Sequence, residues 1–136
     1  MAEGVQWTFY GYCTQAGTRD AQDWFDKLSD EEKDEARDTL GYLRRIPIRL
    51  WCEPEFKPLG SGLSEIRFKV NTLKRIYRIY GFFWPSGQRY SYTFLLGANK
   101  RIQNPRKDIA EARRRQSRVE RGEVSIHEFE FEGDNP

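Results

Sequence analysis

The sequence is poor in the side chains that bind metals or form disulfides. It contains one histidine, His127, and two cysteines, Cys13 and Cys52, which are far apart and form no CxxC pair. A Cys/His zinc site needs four such ligands at characteristic spacings, so this composition argues against a structural metal. We therefore predict no metal and no cofactor, and we expect both cysteines to be small buried side chains.

Long apolar runs are also missing. No stretch approaches the ~18 apolar residues of a membrane span. Residues 1–4 lack the basic start and the apolar stretch of a signal peptide. We therefore expect a cytoplasmic protein with reduced thiols and no membrane partner.

Acidic residues are scarce in one long segment. From Arg67 to Arg121 the chain carries fifteen Lys and Arg but only three acids, an excess of twelve positive charges, although the net charge of the whole chain is only +2. The acids are concentrated on either side of this segment. Such local asymmetry indicates a polyanionic partner and suits the binding of RNA phosphates.

The remaining composition fits one folded domain. Hydrophobic residues make up 38% of the chain, charged residues 32% and aromatic residues 15%. These values lie outside the disordered and membrane classes. A chain of 136 residues can bury one substantial core, so we assign residues 1–136 to a single domain.

The N-terminal third predicts one strand and two helices. Residues 7–13 are aromatic and partly alternating, which favours a strand. The apolar residues from Ala21 to Leu28 have the i, i+3, i+4, i+7 spacing of an amphipathic helix. Ser29 and Glu32 have the spacing of a capping box, so a second helix follows at once and stops before Pro47. These helices predict an αα-hairpin that covers one face of a sheet.

Three strands are predicted for that sheet, after a Pro/Gly-rich connector over residues 53–62. Residues 65–70 alternate, residues 75–83 are rich in β-prone side chains, and a turn at 85–87 leads into residues 90–96. Short turns between consecutive strands imply antiparallel pairing. The predicted fold class is therefore α+β, with a twisted, mainly antiparallel sheet.

A basic helix is predicted near the C-terminus. Asn104 and Pro105 form a helix start and Gly122 a stop, which places the helix at residues 105–121. Residues 122–136 are predicted to form an acidic tail or an edge strand. His127 shares its strand parity with Phe129 and Phe131, which indicates packing beside the edge of the core.

Cations from three neighbouring elements are expected to converge. The two-residue period puts Glu65, Arg67 and Lys69 on one face of their strand. Arg78 interrupts an apolar run in the next strand and needs a partner or a wet cleft. Lys100–Arg101 follow the third strand. The alternative is that these are ordinary surface charges. For the arginines at 113–115, a helix face exposed to solvent is as good an interpretation as an RNA-binding surface.

The order of these motifs resembles the RelE/HigB toxin superfamily, in particular its phage-derived, HigB-like branch. The similarity rests on Gly62–Arg67, Tyr77–Tyr80, Gly97–Arg101 leading into Pro105, and the helical segment Trp24–Ser29. It implies a RelE-like fold whose core covers about residues 7–121.

The resemblance implies the toxin of a type II toxin–antitoxin pair, a ribosome-dependent, metal-independent endoribonuclease. In the implied reaction the ribose 2′-hydroxyl of the mRNA attacks its adjacent phosphate, which requires a base, cations and an acid. The implied partners are mRNA on the ribosome and a helix-turn-helix antitoxin, and the oligomeric state is left open. The alternatives are a noncatalytic RNA- or ribosome-binding module of the same fold and a protein-interaction or phage structural component.

The resemblance also implies site residues. Arg67 matches a strand cation of the superfamily, and Arg78 matches the arginine of its Tyr-Arg strand. The catalytic group is predicted to comprise Glu65, Arg67, Arg78 and Arg101. The RNA-binding group is predicted to comprise Lys69, Lys74, Arg75, Lys100, Arg106, Lys107, Arg113 and Arg114.

The chain departs from the superfamily pattern at two positions. Glu65 stands where the well-known branch has a second strand lysine, and Ile109 falls where a tyrosine opens the final helix. The usual acid–base group is therefore missing. Glu65, Lys69 and His127 remain alternatives for the base or the acid.

Overall fold

The computed structural model describes residues 5–99 and 105–132. Its strands are β1 (Thr8–Cys13), β2 (Phe56–Gly60), β3 (Leu63–Val70), β4 (Arg75–Phe82), β5 (Ser91–Ala98) and β6 (Ser125–Glu128). Its helices are α1 (Asp20–Asp26), α2 (Asp30–Arg44) and α3 (Pro105–Glu120), with short 3₁₀ turns at Ile48–Leu50 and Asn71–Leu73. None of the helices in these residues combines the length and the apolar character needed to cross a membrane.

The fold is α+β, with three helices and a mixed sheet in the part of the chain described. The six strands follow the order β2-β3-β4-β5-β1-β6. β1 runs parallel to β5, whereas β2, β3, β4 and β5 pair in antiparallel succession and β6 pairs antiparallel with β1. The sheet thus brings the N-terminal strand against the last strand of the central meander.

The sheet differs from the sequence-based prediction in three features. Residues 56–60, predicted as part of a connector, form β2, and its Pro58 is tolerated because β2 is an edge strand. The parallel pairing of β1 with β5 was not predicted, because the paired residues, such as Thr8 and Ser91, are far apart in the sequence. An edge strand does form within residues 122–136, as one of the two alternatives had it, but this strand, β6, ends at Glu128 and leaves residues 129–132 outside the sheet.

The helices α1 and α2 pack on one face of the sheet. The hydroxyl of Ser29 accepts a bond from the Glu32 N–H at 3.2 Å, and the Glu32 carboxylate accepts one from the Ser29 N–H at 2.7 Å. The predicted capping box is therefore confirmed. The apolar sides of both helices join the aromatic residues of the sheet in the larger core through Ala21, Phe25, Leu28, Ala36, Leu40 and Leu43.

The opposite face of the sheet is covered in part by α3. Ala112 and Val119 of α3 pack in a smaller core with Tyr12, Leu63, Tyr80, Phe82 and Leu95. The helix ends at Glu120, one residue before its predicted end. The predicted capping residue, Asn104, lies outside the described residues.

The segment after β6 returns to the face that carries α1 and α2. Phe129 and Phe131 are buried in the larger core. Arg37 donates to the carbonyl oxygen of Phe131 at 2.7 Å, and Arg44 pairs with Glu132 at 2.9 Å. The described part of this acidic segment therefore packs away from α3.

Gly11 shows how closely β6 approaches β1. Gly11 pairs with His127, and a Cβ at this glycine would lie 2.8 Å from Nε2 of that imidazole. A side chain at position 11 would therefore displace His127.

The two cysteines are free, but only Cys13 is buried. Cys52 is exposed because the neighbouring Trp51 takes the core position, which corrects the expectation for Cys52.

Candidate functional site

Two of the predicted arginines lie opposite each other on neighbouring strands. The register pairs Arg67 of β3 with Arg78 of β4. By the two-residue period both share the sheet face of Leu63 and Tyr80, which is the face that α3 packs against. Like charges at directly opposed positions destabilise a sheet. This pair therefore needs a negative charge close by.

Glu65 supplies that charge. One carboxylate oxygen of Glu65, Oε2, accepts bonds from Nε of Arg67 and from Nε of Arg78, the second at 3.3 Å. The side chain of Glu65 is 4% exposed, whereas those of Arg67 and Arg78 are 27% and 18% exposed. A buried carboxylate thus fixes two partly exposed guanidinium groups. Glu53 adds a weaker contact, 3.9 Å from Nη1 of Arg67.

Tyr80 lies next to this carboxylate in the sheet, directly opposite Glu65. Its side chain is fully buried, and its hydroxyl has no hydrogen-bond partner among the residues described. Burial, followed by the negative charge of Glu65, raises the pKa of Tyr80 to about 12. The phenol is therefore neutral at physiological pH. We call Glu65, Arg67, Arg78 and Tyr80 the arginine cluster.

The sheet is open beyond the arginine cluster. Lys69 and Ile76 pair across β3 and β4, and both are exposed. An open groove of about 470 Å³ runs along this end of β3 and is lined by Arg67 and Lys69, and also by the acids Glu35 and Glu55. β5 reaches the same place, since its Ala98 pairs with Arg78. Among the predicted RNA-binding residues in the ranges that the structure describes, Lys69 is therefore the one beside the cluster.

Two other predicted residues lie away from it. Lys74 is exposed in the β3–β4 turn, with a φ of 52°. Arg75 shares its strand parity with Tyr77 and so belongs to the face that carries α2. Its charge acts there on Glu32 and Tyr77. Arg75 is therefore separated from Arg78 by the sheet itself.

The predicted cations of α3 point in different directions. Arg106 and Lys107 are exposed in the first turn. Arg113 donates to the carbonyl oxygens of the last two residues of β2, Leu59 and Gly60, at 2.9 and 3.1 Å, and so holds the end of that strand. Arg114 pairs with Glu111 at the exposed surface. Of these four residues, Arg113 thus has a structural role.

Some predicted positions are not near the cluster or lie outside the described residues. Lys100 and Arg101 belong to the undescribed range. His127 lies on β6, three strands from β4 in the sheet order. At about 4.8 Å per strand this separation is about 14 Å. His127 is therefore not part of the arginine cluster.

Two members of the site were missed by reasoning from the sequence. Tyr80 lies in a run of apolar residues and was taken only as strand material, although its position two residues from Arg78 gave the available signal. Glu53 belongs to the predicted connector, and its approach to Arg67 depends on the pairing of β2 with β3. No local pattern indicates that approach.

The chemistry that this site offers is cationic. Within residues 5–99 and 105–132, no group of three or more His, Cys, Asp or Glu is arranged to hold a metal ion. The planar guanidinium groups of Arg67 and Arg78 are suited to phosphate oxygens, which accept paired hydrogen bonds from them. This chemistry is suited to a phosphate group at the open end of the sheet.

The fold and the cluster together define a small α+β protein with a cationic site. This chain belongs to the family described as Phage derived protein Gp49-like (DUF891), which matches residues 23–117. The family is associated with toxin–antitoxin systems. No curated protein and no solved structure matches the chain. The matched range includes the whole arginine cluster.

Proposed function

We propose that this protein is the toxin of a type II toxin–antitoxin pair and acts as a ribosome-dependent, metal-independent endoribonuclease on mRNA. Membership in a phage-derived family associated with such systems supports the toxin assignment. The resemblance to the RelE/HigB superfamily supports the reaction and the RelE-like character of the fold.

The observation that carries this proposal is the pairing of Arg67 and Arg78 through one buried carboxylate. In the proposed reaction the 2′-oxygen forms a bond to the adjacent phosphorus and the bond from phosphorus to the 5′-oxygen breaks. The 2′-hydroxyl loses its proton to a base, and an acid gives a proton to the 5′-oxygen. Negative charge grows on the nonbridging oxygens, where two fixed guanidinium groups stabilise the transition state.

Glu65 has a positioning role in this scheme. One oxygen of its carboxylate already accepts bonds from both arginines, so that oxygen is engaged in holding them. Its bonds to the two Nε atoms also restrict the rotation of both guanidinium groups. Such preorganisation avoids the reorganisation that flexible surface arginines would require during the reaction.

A noncatalytic RNA- or ribosome-binding module of the same fold is the second candidate. The engaged state of Glu65 and the fully buried Tyr80 favour it, because neither group is placed to take a proton from a ribose. A protein of this kind should bind ribosomes tightly but leave an mRNA with intact 2′-hydroxyl groups uncleaved. Cleavage of a ribose A-site codon but not of its 2′-deoxy counterpart would exclude this candidate.

Replacing Arg78 with alanine tests the proposed function. Loss of one transition-state donor is expected to lower ribosomal cleavage by about a hundredfold, or roughly 3 kcal/mol of barrier stabilisation, and to relieve growth inhibition on induction. Arg49→Ala is the matched control, since Arg49 is exposed in the 3₁₀ turn Ile48–Leu50. Thermal unfolding of both variants separates lost activity from lost folding. Wild-type cleavage by a folded Arg78→Ala protein would disprove the role of Arg78.

A helix-turn-helix antitoxin is the proposed protein partner. The association of the family with toxin–antitoxin systems supports such a partner. We expect it to neutralise the toxin by covering the arginine cluster or by blocking entry to the ribosome. Co-expression of the protein encoded beside the toxin should restore growth and co-purify with the toxin, and failure to do either would argue against this pairing.

A further inference from the structure

The outer side of α3 carries a stripe of cations that the arginine cluster does not use. At 100° per residue, Lys107, Arg114, Arg118 and Arg121 lie within about 60° of one another around the helix axis. All four are exposed. The buried residues Ala112, Gln116 and Val119 lie on the opposite side of the helix. We call these four cations the outer stripe.

The shape of the outer stripe suits a long, regular polyanion. At 1.5 Å per residue it extends about 21 Å along the axis of α3 and just beyond its last turn. Ala110 and Ser117 on this side are small, but Glu111 pairs with Arg114 and Glu123 pairs with Arg121 at 2.9 Å. A phosphate backbone on the outer stripe would therefore compete with two carboxylates for Arg114 and Arg121.

The residue types on α3 distinguish between an acidic protein, single-stranded RNA and double-stranded RNA as partners. The exposed large hydrophobic residues of the described chain are Tyr42, Ile48, Leu50, Leu73 and Ile76, so none lies on α3. Protein interfaces usually have an apolar or aromatic centre, and single-stranded RNA is usually held by stacking on aromatic side chains. The outer stripe has neither. Double-stranded RNA, in contrast, is recognised largely through its shape and its phosphates.

We propose that the outer stripe of α3 binds the phosphate backbone of double-stranded RNA, separately from the arginine cluster. The choice of RNA as the polyanion rests on the proposed function, but the binding does not require cleavage. The stripe begins at Lys107, in the same first turn as Asp108, whose charge acts on Tyr80 of the cluster. A duplex on α3 would therefore lie beside the site at which a single strand is cut.

Two variants with equal loss of charge test this inference. The stripe variant carries Arg114→Gln, Arg118→Gln and Arg121→Gln, and the control carries Lys27→Gln, Arg49→Gln and Lys57→Gln at exposed positions outside α3. The probe is a 2′-O-methyl RNA duplex of about 20 base pairs, longer than the roughly 16 that double-stranded-RNA-binding domains span. This probe cannot be cleaved through its 2′-hydroxyl groups. Circular dichroism and thermal unfolding verify that each variant is folded.

The salt dependence of binding is the measurement. Each phosphate contact contributes about −0.9 to the slope of log K against log salt on a B-form duplex. The stripe variant should therefore show a slope shallower by about 2.7 between roughly 50 and 200 mM salt, and a loss of affinity of tenfold or more. The control should match the wild type. A 20-nucleotide single strand should show a smaller difference between the two variants.

Equal slopes for the stripe and control variants would overturn the inference. Equal slopes together with lost binding of polyglutamate by the stripe variant would assign the stripe to an acidic protein instead. A failure of the proposed function looks different. In that case the wild type would not cleave mRNA on ribosomes, whereas duplex binding would still depend on the outer stripe.

Discussion

Among single residues, Glu65 has the greatest influence on the arginine cluster, because one of its oxygens serves both guanidinium groups. Glu65→Gln keeps the shape of the side chain but removes its charge. We expect cleavage to fall by about a hundredfold, the effect of misplacing a positioned group by about 1 Å. Single-turnover cleavage on ribosomes, measured across pH, provides the test.

The pH dependence separates positioning from proton transfer. If Glu65 only positions Arg67 and Arg78, the variant should keep the acid limb of the wild-type pH–rate profile. Disappearance of that limb in Glu65→Gln would identify Glu65 as the general base. Glu53→Gln is a suitable control, since Glu53 is more exposed and lies 3.9 Å from Arg67.

Tyr80 gives a prediction about stability. Because its buried hydroxyl has no partner among the described residues, Tyr80→Phe should leave the free energy of unfolding unchanged or raise it by about 1 kcal/mol. Because the pKa of Tyr80 rises from 10 to about 12 on folding, the stability of the wild type does not depend on its ionisation below pH 10. As the pH rises from 10 through about 12 that stability falls, and Tyr80→Phe should remove this alkaline loss. Urea unfolding at pH 7 and at pH 10 to 11 measures both effects.

Tyr92→Phe is the comparison for this measurement. Burial also raises the pKa of Tyr92, but its hydroxyl is bonded to that of Ser64 at 2.8 Å. Removing the Tyr92 hydroxyl should therefore destabilise the protein at pH 7, whereas removing the Tyr80 hydroxyl should not. Clear destabilisation by Tyr80→Phe at pH 7 would show that the hydroxyl has a partner in solution.

At the level of elements, α3 depends on an arginine that points inward. Arg115 pairs with Asp20 at 3.2 Å and with Glu111 at 2.9 Å, and it donates to the carbonyl oxygen of Leu95 at 2.8 Å. Its guanidinium also lies 4.8 Å from the ring centre of Tyr12. Arg115→Ala should therefore lower the free energy of unfolding by about 3 kcal/mol, as expected when a partly buried ion pair loses one member.

Arg118→Ala provides the contrast on the same helix. Arg118 is exposed, so its replacement should change the free energy of unfolding by less than about 0.5 kcal/mol. Chemical denaturation of both variants is the measurement. Equal stability of the two variants would mean that the contacts of Arg115 do not hold α3 to α1 and the sheet.

The start of α2 gives a second prediction at this level. Burial acts to raise the pKa of Glu32, but bonds from Tyr77 and Ser29 and the charge of Arg75 outweigh it and lower the pKa below 4.5. Its contribution to stability is therefore present above pH 4.5 and is lost as the pH falls through the lower folded-state pKa. Glu32→Gln keeps a side chain that can form the capping box. The free energy of unfolding of this variant should fall less than that of the wild type as the pH is lowered.

Glu35→Gln is the control for removing a carboxylate from the same helix, since Glu35 lies outside the capping box. The unfolding free energies of the wild type and Glu32→Gln should converge as the pH falls from 7 to 3. A constant difference between the wild type and Glu32→Gln would contradict the lowered pKa.

At the scale of the whole molecule, local signals predicted the local structure. The Ser29 and Glu32 capping box came from spacing, and the start of α3 at Pro105 came from the helix-starting residue types at that point. The shared face of Glu65 and Arg67 came from strand parity, and the apolar neighbours of Arg78 indicated its need for a partner. These features depend on residues close together in sequence, where periodicity and capping act.

Long-range contacts could not be predicted in the same way. The parallel pairing of Thr8 with Ser91 and the approach of Glu53 to Arg67 arise only when distant segments pack. β2 was not predicted because it contains Pro58, which cannot donate a backbone hydrogen bond and is tolerated only because β2 lies at the sheet edge. The separate roles of Arg113 and Arg114 depend on where the end of β2 meets α3.

The basic segment of the chain therefore serves several purposes once it is folded. Arg67 and Arg78 form a site with a buried carboxylate, Arg113 and Arg115 hold α3 in place, and the outer stripe faces solvent. Charge density along the sequence does not separate these groups, whereas the sheet register and the helix period do.

A double-mutant cycle on Arg67 and Arg78 tests the central claim most directly. Single-turnover cleavage of a ribose A-site codon on programmed ribosomes would be measured for the wild type, Arg67→Ala, Arg78→Ala and the double variant. We expect each single change to slow cleavage by about a hundredfold and the double change to add much less than a second hundredfold, because the two arginines share Glu65 and act as a unit. Single variants that cleave at the wild-type rate would contradict the account.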